Sequence, residues 1–360
     1  MSLGQSIKQA IITGALNKRA KAKIKNGELF DVKKYENIKL PANAPDSWNN
    51  SNYFFWTNFK SKETFYFRQG LRGGKDSNEV WFVYSDGKGN TYTAADEFFK
   101  KDQKISTSAI CNDPERKLTF TFSGAMYKVS KKGDVCKAER SKKPVNVDMK
   151  ATFTGIGKIF EFTYDLAPKT LARALSKEKD LRKTQKEFSD NQQIHYEQSG
   201  TVSGKIKIDN KETTFTDYPS FRDRSFGKRE WDFMNRYVWN VILLENGEFI
   251  HTSLIRYPML HELQAGFLFI DNKYTSLYKC ISMDKLPITG STPKFFENKV
   301  QYIDGRKRTI KSNLEFVITF PFANNSFIVN EGVCEYDVNG VRGRGISEFG
   351  FNGDKSKWDY

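Results

Sequence analysis

Tight-turn signals recur along most of this chain and separate short runs rich in aromatic and β-branched residues. Asn-Gly, Asp-Gly and Asp-Asn pairs accept the backbone angles that hairpins need, so they are typical of antiparallel meanders. These pairs are Asp86-Gly87, Asp209-Asn210, Asn246-Gly247, Asp271-Asn272, Asp304-Gly305 and Asn339-Gly340. Aromatic residues make up 14% of the 360 residues, which also favours β-structure or an aromatic-lined cavity. The sequence therefore predicts an all-β fold.

Two segments depart from this pattern and read as helices. Residues 5–25 and 169–190 carry apolar residues at helical intervals among many charges. The second helical segment divides the chain nearly in half, so we place the domain junction there. The predicted organisation is a basic N-terminal helix over 1–26, a first β-barrel or curved sheet over 27–190 that ends in a helical connector, and a second β-barrel or curved sheet over 191–360.

The charge of the chain bears on its partners. Lys and Arg number 58 against 43 Asp and Glu, a net charge of +15 that is spread along the sequence. Even the densest region, 128–143, lacks the spacing of a helix-turn-helix, a zinc finger or an RNA-recognition motif, so we expect no nucleic-acid partner. The basic helix over 5–25 either packs on the body of the protein, which we favour, or makes weak contact with an anionic membrane surface. The oligomeric state is not determined by the sequence.

Cofactor and metal motifs are missing from the sequence. The four cysteines form no CxxC pair, and the chain has only three histidines. G-x-S-x-G, GxxxxGK[ST] and H-E-x-x-H do not occur, and Gly343–Glu348 reads as a strand rather than a dinucleotide fingerprint. We therefore expect no cofactor and no metal. With a mean hydropathy of −0.64, no spanning apolar run and no secretory-signal layout, a cytoplasmic location is expected.

The segment Arg236–Tyr257 reads as a hairpin around Asn246-Gly247. A two-residue turn would place Glu245 opposite Glu248 and thereby set the register. On that register Asn240, His251 and Ser253 share one face, and the other face carries a second group of polar and aromatic side chains. That second group includes Tyr237, Trp239, Thr252 and Arg256. Both faces are too apolar for solvent, which fits a barrel wall, and His251 is either a general base, a ligand anchor or a hydrogen-bonded structural residue.

A family resemblance rests on several segments. The run His195–Asp209, followed by Phe221–Trp231 (FRDRSFGKREW), resembles the tandem lipocalin-like family that includes hydroxyneurosporene synthase, a carotenoid hydratase, and the lipocalin-like Diels-Alderases. It is most similar to uncharacterised members with a hallmark near Arg-Asp-His-Ser-Trp-Gly-x-Arg-x-Trp. Asp223, Ser225, Gly227, Arg229 and Trp231 match this hallmark, whereas Arg224 and Phe226 depart from it. Further similar segments are Tyr53–Trp56, Phe65–Leu71, Val80–Gly87 and Gly343–Glu348.

The resemblance implies two lipocalin-like antiparallel β-barrels in tandem over about residues 50–350. It also implies a cofactor-independent enzyme that acts on a small hydrophobic molecule, isoprenoid, polyene or polyketide-like, by hydration, isomerisation or cyclisation. A non-catalytic carrier or sensor of a hydrophobic ligand is the alternative, since an apolar barrel cavity binds ligand without any catalytic residue.

Candidate site residues follow from this chemistry. A carboxyl group in an apolar cavity holds its proton at neutral pH and can deliver it to an alkene, beside aromatic faces that stabilise the resulting cation. The catalytic candidates are Asp223, Trp231 and His251. The substrate-binding candidates are Tyr53, Trp56, Arg68, Tyr237, Trp239, Asn240, Ser253 and Arg256. The alternative for Asp223 is an ion-paired turn with its neighbours Arg222 and Arg224, in which the carboxylate stays charged.

Overall fold

The structure is a computed structural model of the 360-residue chain. It describes residues 3–28, 30–36, 41, 43–73, 78–94, 105–132, 135–138, 143–190, 193–230, 233–280, 292–322 and 326–357. The described part is mostly antiparallel β-structure, which confirms the prediction of tandem lipocalin-like β-barrels with few helices. Among the helices within these ranges, none is long and apolar enough to cross a membrane.

The chain divides into two compact units, each made of separate segments. We call residues 31–160 with 193–229 the first barrel unit, and residues 1–30, 161–192 and 230–360 the second barrel unit. The predicted boundary between the two barrels, at residue 190, does not coincide with this division into units. The segment 193–229 falls in the first barrel unit, because its strands pair with β-strands from the first half of the chain.

The first barrel unit is a closed ring of antiparallel strands. Its elements are α2 (Val32–Glu36), β1 (Trp48–Thr57), β2 (Thr64–Arg72), β3 (Asn78–Ser85), β4 (Thr91–Thr93), β5 (Ser106–Asp113), β6 (Lys117–Lys132), β7 (Val135–Ala138), β8 (Val145–Gly155), β10 (Gln193–Ile208) and β11 (Lys211–Lys228). Pairing runs from β1 through β2, β3, β4, β6, β8, β10 and β11 and returns to β1. A two-residue strand, β9 (Phe160–Glu161), follows β8.

The second barrel unit closes in the same way. Its elements are α1 (Leu3–Lys25), α3 (Phe162–Asp165), α4 (Pro168–Leu175), α5 (Leu181–Asp190), β12 (Arg236–Leu244), β13 (Phe249–Tyr257), β14 (Leu260–Ile270), β15 (Lys273–Cys280), β16 (Phe295–Tyr302), β17 (Lys307–Phe322), β18 (Phe327–Val338), β19 (Val341–Asn352) and a 3-10 helix (Lys355–Lys357). Each strand pairs with the next one in sequence, and β19 pairs with β12.

The protein's own side chains fill the interior of the first barrel. Alternate residues of each strand point inward, and in this barrel they are largely aromatic. The Phe54 ring stacks on Phe120 with centroids 4.2 Å apart, and Trp56 stacks on Phe65 at 4.8 Å. The cluster also contains Phe67, Phe82, Leu118, Phe122, Met126, Met149, Phe153, Val202, Ile206 and Phe215. These side chains, most of them aromatic, therefore form the core of the barrel.

The interior of the second barrel is largely apolar and contains a line of buried polar groups. Its cluster contains Val238, Ile242, Leu244, Ile250, Leu254, Leu268, Leu277, Phe296, Val300, Ile310, Val317, Phe349 and Phe351. Among these side chains, the Asn240 amide donates to Thr252 at 3.1 Å and accepts from Ser347 at 2.8 Å. The Tyr336 hydroxyl continues the line to Ser347 at 2.6 Å. All four groups are buried, so their hydrogen bonds replace those to water.

The predicted register of the β12–β13 hairpin is wrong by one residue. Leu244 pairs with Glu248, and the Leu244 N–H donates to the Glu248 carbonyl at 3.0 Å, so the loop has three residues. Within the loop, Gly247 takes a positive φ of 84°, and the Asn246 side chain accepts from the Glu248 N–H at 3.1 Å. A three-residue loop with glycine at the left-handed position replaces the two-residue turn. The slip moves every side chain of β13 to the opposite face.

Candidate functional site

A row of polar and aromatic side chains crosses the outer face of the first barrel. The strand register aligns Glu197 on β10 with Asp223 on β11, Tyr53 on β1, Arg68 on β2 and Trp81 on β3. Alternation along each strand keeps these side chains on the side opposite the aromatic core. We call this surface, together with His195 on β10, the acid–histidine face.

His195, Glu197 and Asp223 form the chemical centre of this face. The His195 Nε2 contacts the Asp223 Oδ2 directly and lies 3.7 Å from the Glu197 Oε1. The His195 side chain is 29% exposed and that of Asp223 14%, whereas Glu197 is completely buried. The imidazole is therefore the most exposed member of the group, and the two carboxyl groups lie beside it.

The protonation of His195 is set by this environment. Burial lowers the pKa of His195, but the charge of Asp223, its hydrogen bond and the charge of Glu197 together raise that pKa above the usual value. Arg229 opposes them by favouring the neutral ring. Since the raising effects prevail, the imidazolium form persists to a higher pH than in an exposed histidine.

The residues around the centre fix its geometry. The Arg229 guanidinium donates to the Ser225 Oγ at 2.8 Å. The Asn49 amide donates to the Ser51 Oγ at 3.0 Å and to the Ser225 carbonyl at 3.2 Å. Ser225 pairs with His195 across the two strands, so this polar network supports the strand position from which the imidazole projects. Three residues that match the hallmark, Asp223, Ser225 and Arg229, thus belong to the same face.

A buried ion cluster continues the face onto β2 and β3. Arg68 donates to the Glu79 carboxylate, and the Arg72 Nε donates to the same group at 2.7 Å. Burial raises the pKa of Glu79, but Arg68 and Arg72 outweigh it and hold that pKa below its usual value. The Arg68 guanidinium also lies 4.7 Å from the Trp81 ring centroid. Arg68 is thereby fixed by charge on one side and by an aromatic ring on the other.

The alternative interpretation, in which Asp223 lies in a turn and pairs with Arg222 and Arg224, is wrong. Residues 211–228 form one continuous strand, so Arg222 and Arg224 point to the face opposite Asp223. Arg222 pairs with Glu36 of α2 and donates to the Gln198 Oε1 at 3.0 Å, while the Arg224 Nε lies 3.9 Å from Glu36. Arg224, which replaces the hallmark histidine, is therefore not beside Asp223. The imidazole at Asp223 comes from the neighbouring strand.

A second group of candidate residues lies on the outer face of the second barrel. His251 lies 5.7 Å from Trp239 in an edge-on arrangement and 5.5 Å from Phe267, measured between ring centroids. The Tyr237 hydroxyl donates to Glu348, which faces Glu331 across β18 and β19. We call this surface the aromatic face. It combines an imidazole, a carboxyl pair and large rings.

The structure sorts the predicted site residues into several places. Tyr53, Arg68 and Asp223 lie on the acid–histidine face, and Trp56 lies in the first barrel's core, on the other side of β1. Tyr237, Trp239, His251 and Ser253 lie on the aromatic face, whereas Asn240 lies in the second barrel's interior and Arg256 faces Arg236 across β12 and β13. Trp231 lies outside the described residues. The grouping of Asn240 with His251 and Ser253 is wrong, as a consequence of the register.

The sequence interpretation missed His195 and Glu197 as site residues. Their signal was the His-x-Glu spacing at the start of an alternating strand, which puts both side chains on one face. The ligand atoms of His195, Glu197 and Asp223 all lie within 4.8 Å of one another, so this set could hold a metal ion. The direct contact between His195 and Asp223 equally suits a shared proton.

Solved structures with a similar fold include three proteins. Kievitone hydratase from Nectria haematococca matches with a TM-score of 0.50 at 10% identity, over 88% of this chain and 94% of that one. A protein described as AttH from Nitrosomonas europaea matches with a TM-score of 0.48 at 11% identity, over 88% and 97% of the two chains. CghA matches with a TM-score of 0.45 at 7% identity, over 85% and 89%. At such identities the likeness to kievitone hydratase concerns the fold alone.

Sequence comparison assigns the chain more directly. Comparison with curated proteins gives no match. A family model matches residues 35–353, which include both barrels and every site residue discussed above. The chain therefore belongs to the family defined by the domain of unknown function DUF7064.

Proposed function

We propose that this protein is a cofactor-independent enzyme that transfers a proton to a small hydrophobic molecule, with His195 as the acid and Asp223 as its partner. The observation that carries the proposal is the direct contact between the His195 Nε2 and Asp223 on a partly exposed barrel face. The outcome of the proton transfer is hydration, isomerisation or cyclisation of an isoprenoid, polyene or polyketide-like substrate.

The charge pattern around His195 suits an acid that works near neutral pH. Asp223 and Glu197 raise the pKa of His195, so they favour the protonated ring that would give its proton to the substrate. Asp223 holds Nε2 and orients the ring, as the aspartate of a catalytic triad orients its histidine. In a hydration, Nδ1 gives its proton to one alkene carbon, water adds to the other, and the surplus proton of that water returns to His195.

Buried aromatic side chains lie next to Asp223. The Tyr53 ring, whose backbone pairs with Asp223, stacks on Phe221 at 5.8 Å and on Tyr66 at 6.3 Å. Rings of this kind bind an apolar molecule and stabilise a developing cation. Arg68, fixed by Glu79 and Trp81, would bind a substrate carbonyl or carboxylate.

The fold is compatible with this class of activity but does not by itself determine the reaction. The fold is shared with a protein named as a hydratase, and the segments His195–Asp209 and Phe221–Trp231 resemble those of the carotenoid hydratase family. Fold likeness permits many chemistries, so the proposal depends on the His195 group. A cytoplasmic location and the absence of a nucleic-acid partner remain predictions of the sequence.

A carrier or sensor of a hydrophobic ligand is the second candidate. The observation that favours it is the cross-strand pair of buried arginines, Arg236 and Arg256, in the second barrel. A guanidinium group suits a ligand carboxylate, because it can donate two parallel hydrogen bonds to it. A carrier would bind such an acid stoichiometrically and leave it unchanged.

The first experiment is solvent extraction of the native protein, followed by mass spectrometry and ultraviolet-visible absorbance of the released compound. Wild type, His195→Gln and Asp223→Asn are then incubated with that compound in water enriched in oxygen-18. We expect both variants to lose at least about 100-fold in turnover and to keep the dissociation constant within a few-fold. Incorporation of oxygen-18 into the product identifies hydration, and its absence identifies isomerisation or cyclisation.

A matched control lies on the same strand as Asp223. Glu212 is exposed on β11 and pairs with Lys205 at 3.1 Å, so Glu212→Gln is expected to keep full turnover. The proposal is wrong if folded His195→Gln turns over at the wild-type rate. Binding without any wild-type turnover supports the carrier instead.

A further inference from the structure

Helix α1 presents an apolar stripe to solvent. Leu3, Ile7 and Ile11 recur every fourth residue, and their side chains are 80%, 55% and 68% exposed. Residues four apart lie on one side of a helix, so these three form a continuous ridge. Large aliphatic side chains grouped in this way mark an interaction surface rather than chance exposure.

The opposite side of α1 attaches the helix to its own unit. Gln9 is buried and donates to the Lys169 carbonyl on α4 at 3.4 Å, and Lys8 donates to the Glu178 carbonyl. Near the other end, the Lys23 ammonium lies 4.5 Å from the Tyr164 ring centroid. These contacts lie on one side of α1, and Leu3, Ile7 and Ile11 lie exposed on the other.

The charge of α1 is of one sign. The helix contains Lys8, Lys18, Arg19, Lys21, Lys23 and Lys25 and no Asp or Glu. Lys21 follows Leu3, and Lys25 follows Ile7, by 18 residues, which is about five full helical turns. The exposed side is therefore apolar over its first turns and cationic over its last ones.

We propose that α1 docks this protein on an anionic lipid surface, with Leu3, Ile7 and Ile11 inserted at the interface and the lysines at the headgroups. Interfacial helices combine an inserted apolar face with electrostatic attraction to anionic lipid. A nucleic acid would match the charge but leave the ridge in water. A second copy would bring two cationic helices together, with no acidic residue on either one to offset their repulsion.

The position of α1 in the chain agrees with a separate role. The family model matches residues 35–353, so α1 precedes the matched region. Membrane docking through α1 does not depend on the proposed chemistry of His195, which belongs to the first barrel unit.

Co-sedimentation of the full chain with vesicles tests the proposal. Vesicles of phosphatidylcholine alone are compared with vesicles containing 30% phosphatidylglycerol, at low and high salt. We expect binding to the anionic vesicles only, and weakening by salt because screening shortens the range of the attraction. The double variant Lys18→Glu/Lys21→Glu is expected to lose at least about 25-fold in affinity, since each lysine near an anionic surface contributes about fivefold. Ile7→Ser/Ile11→Ser is expected to weaken binding at both salt concentrations.

Matched controls separate α1 from the general positive charge of the chain. Lys60→Glu/Lys211→Glu makes the same charge change at exposed positions of the first barrel unit, and Ile110→Ser removes an isoleucine that is 56% exposed on β5. Both controls are expected to bind like wild type. All substituted side chains are exposed, so circular dichroism should show an unchanged fold. Failure of the wild type to bind anionic vesicles, or equal losses in control and α1 variants, would overturn the proposal.

Discussion

At the scale of single residues, the environment gives two histidines opposite properties. Burial lowers the pKa of His195, but Asp223 and Glu197 outweigh it, so the net shift is upward. Burial also lowers the pKa of His261, and Arg256 adds to that effect, so its net shift is downward. A residue's type is visible in the sequence, but a charge that comes from another strand, such as Asp223 beside His195, is not. His195 combines accessibility with a carboxyl partner.

Replacing Asp223 by Asn should lower the pKa of His195. The substitution removes both the charge and the charged hydrogen bond that favour the imidazolium. Proton NMR can follow the ring signals, because the chain has three histidines and single His→Gln variants assign them. The pKa of His261 should not move. An unchanged titration of His195 would mean that Asp223 does not control it.

The raised pKa of His195 also predicts how the free energy of unfolding changes with pH. The folded-state pKa of His195 lies above the unfolded value of about 6.5, so the protonated ring stabilises the fold below that pH. The contribution is lost as the pH rises through the folded-state pKa. Wild type should therefore lose more unfolding free energy than Asp223→Asn between pH 6 and 9, as urea denaturation at each pH would measure.

At the scale of elements, one loop residue decides which side chains share a face. Asn246-Gly247 correctly predicted a hairpin, but the Asn246 side chain accepts from Glu248 and stabilises a three-residue loop. The same Asn-Gly dipeptide fits both the two-residue and the three-residue loop. The pairing of β12 with β19 joins residues far apart in the chain, so it could not be read from the hairpin sequence. By contrast, β11 is a continuous strand where the sequence also allowed a turn, and alternation along this strand puts Asp223 on the face opposite Arg222 and Arg224.

Substitution of Gly247 tests this loop. A Cβ at Gly247 meets no atom within 4 Å, so its effect comes from the positive φ alone. Gly247→Ala should destabilise the fold by about 1 kcal/mol, and Gly247→Asn by less, because asparagine tolerates the left-handed region. Gly14→Ala in α1, which also meets no atom within 4 Å, should be neutral or slightly stabilising. Thermal or urea denaturation measures all three, and equal effects at both glycines would contradict the loop geometry.

At the scale of the whole molecule, each barrel unit is assembled from separated segments. The hairpin of β10 and β11 lies between β8 and β1 and closes the first barrel. It also brings His195, Glu197 and Asp223 to that barrel, although they follow the helical segment in sequence. The helical segment 161–192 belongs to the second barrel unit, so it interrupts the first unit rather than ending it.

A pair of fragments tests this assembly. Fragment 27–190 follows the division predicted from the sequence and lacks β10 and β11, so its barrel stays open with two unpaired edges. We expect it to be unfolded or aggregated. A chain of residues 31–229 in which a short Gly/Ser linker replaces 161–192 contains the whole first unit and should unfold cooperatively. Cooperative folding of fragment 27–190 by circular dichroism would contradict the division into units.

Sequence features alone established the properties that depend on neighbours along the chain. Turn dipeptides, residue alternation and aromatic content are local, and they indicated the β-class and the helical segments 5–25 and 169–190, the second of which the structure divides into α4 and α5. The three-dimensional fold sets which side chains meet. His195 reaches Asp223, and Arg222 reaches Glu36, through contacts between residues far apart in the chain. Strand register and barrel closure set these contacts, because a shift of one residue or a different partner strand places other side chains on the same face.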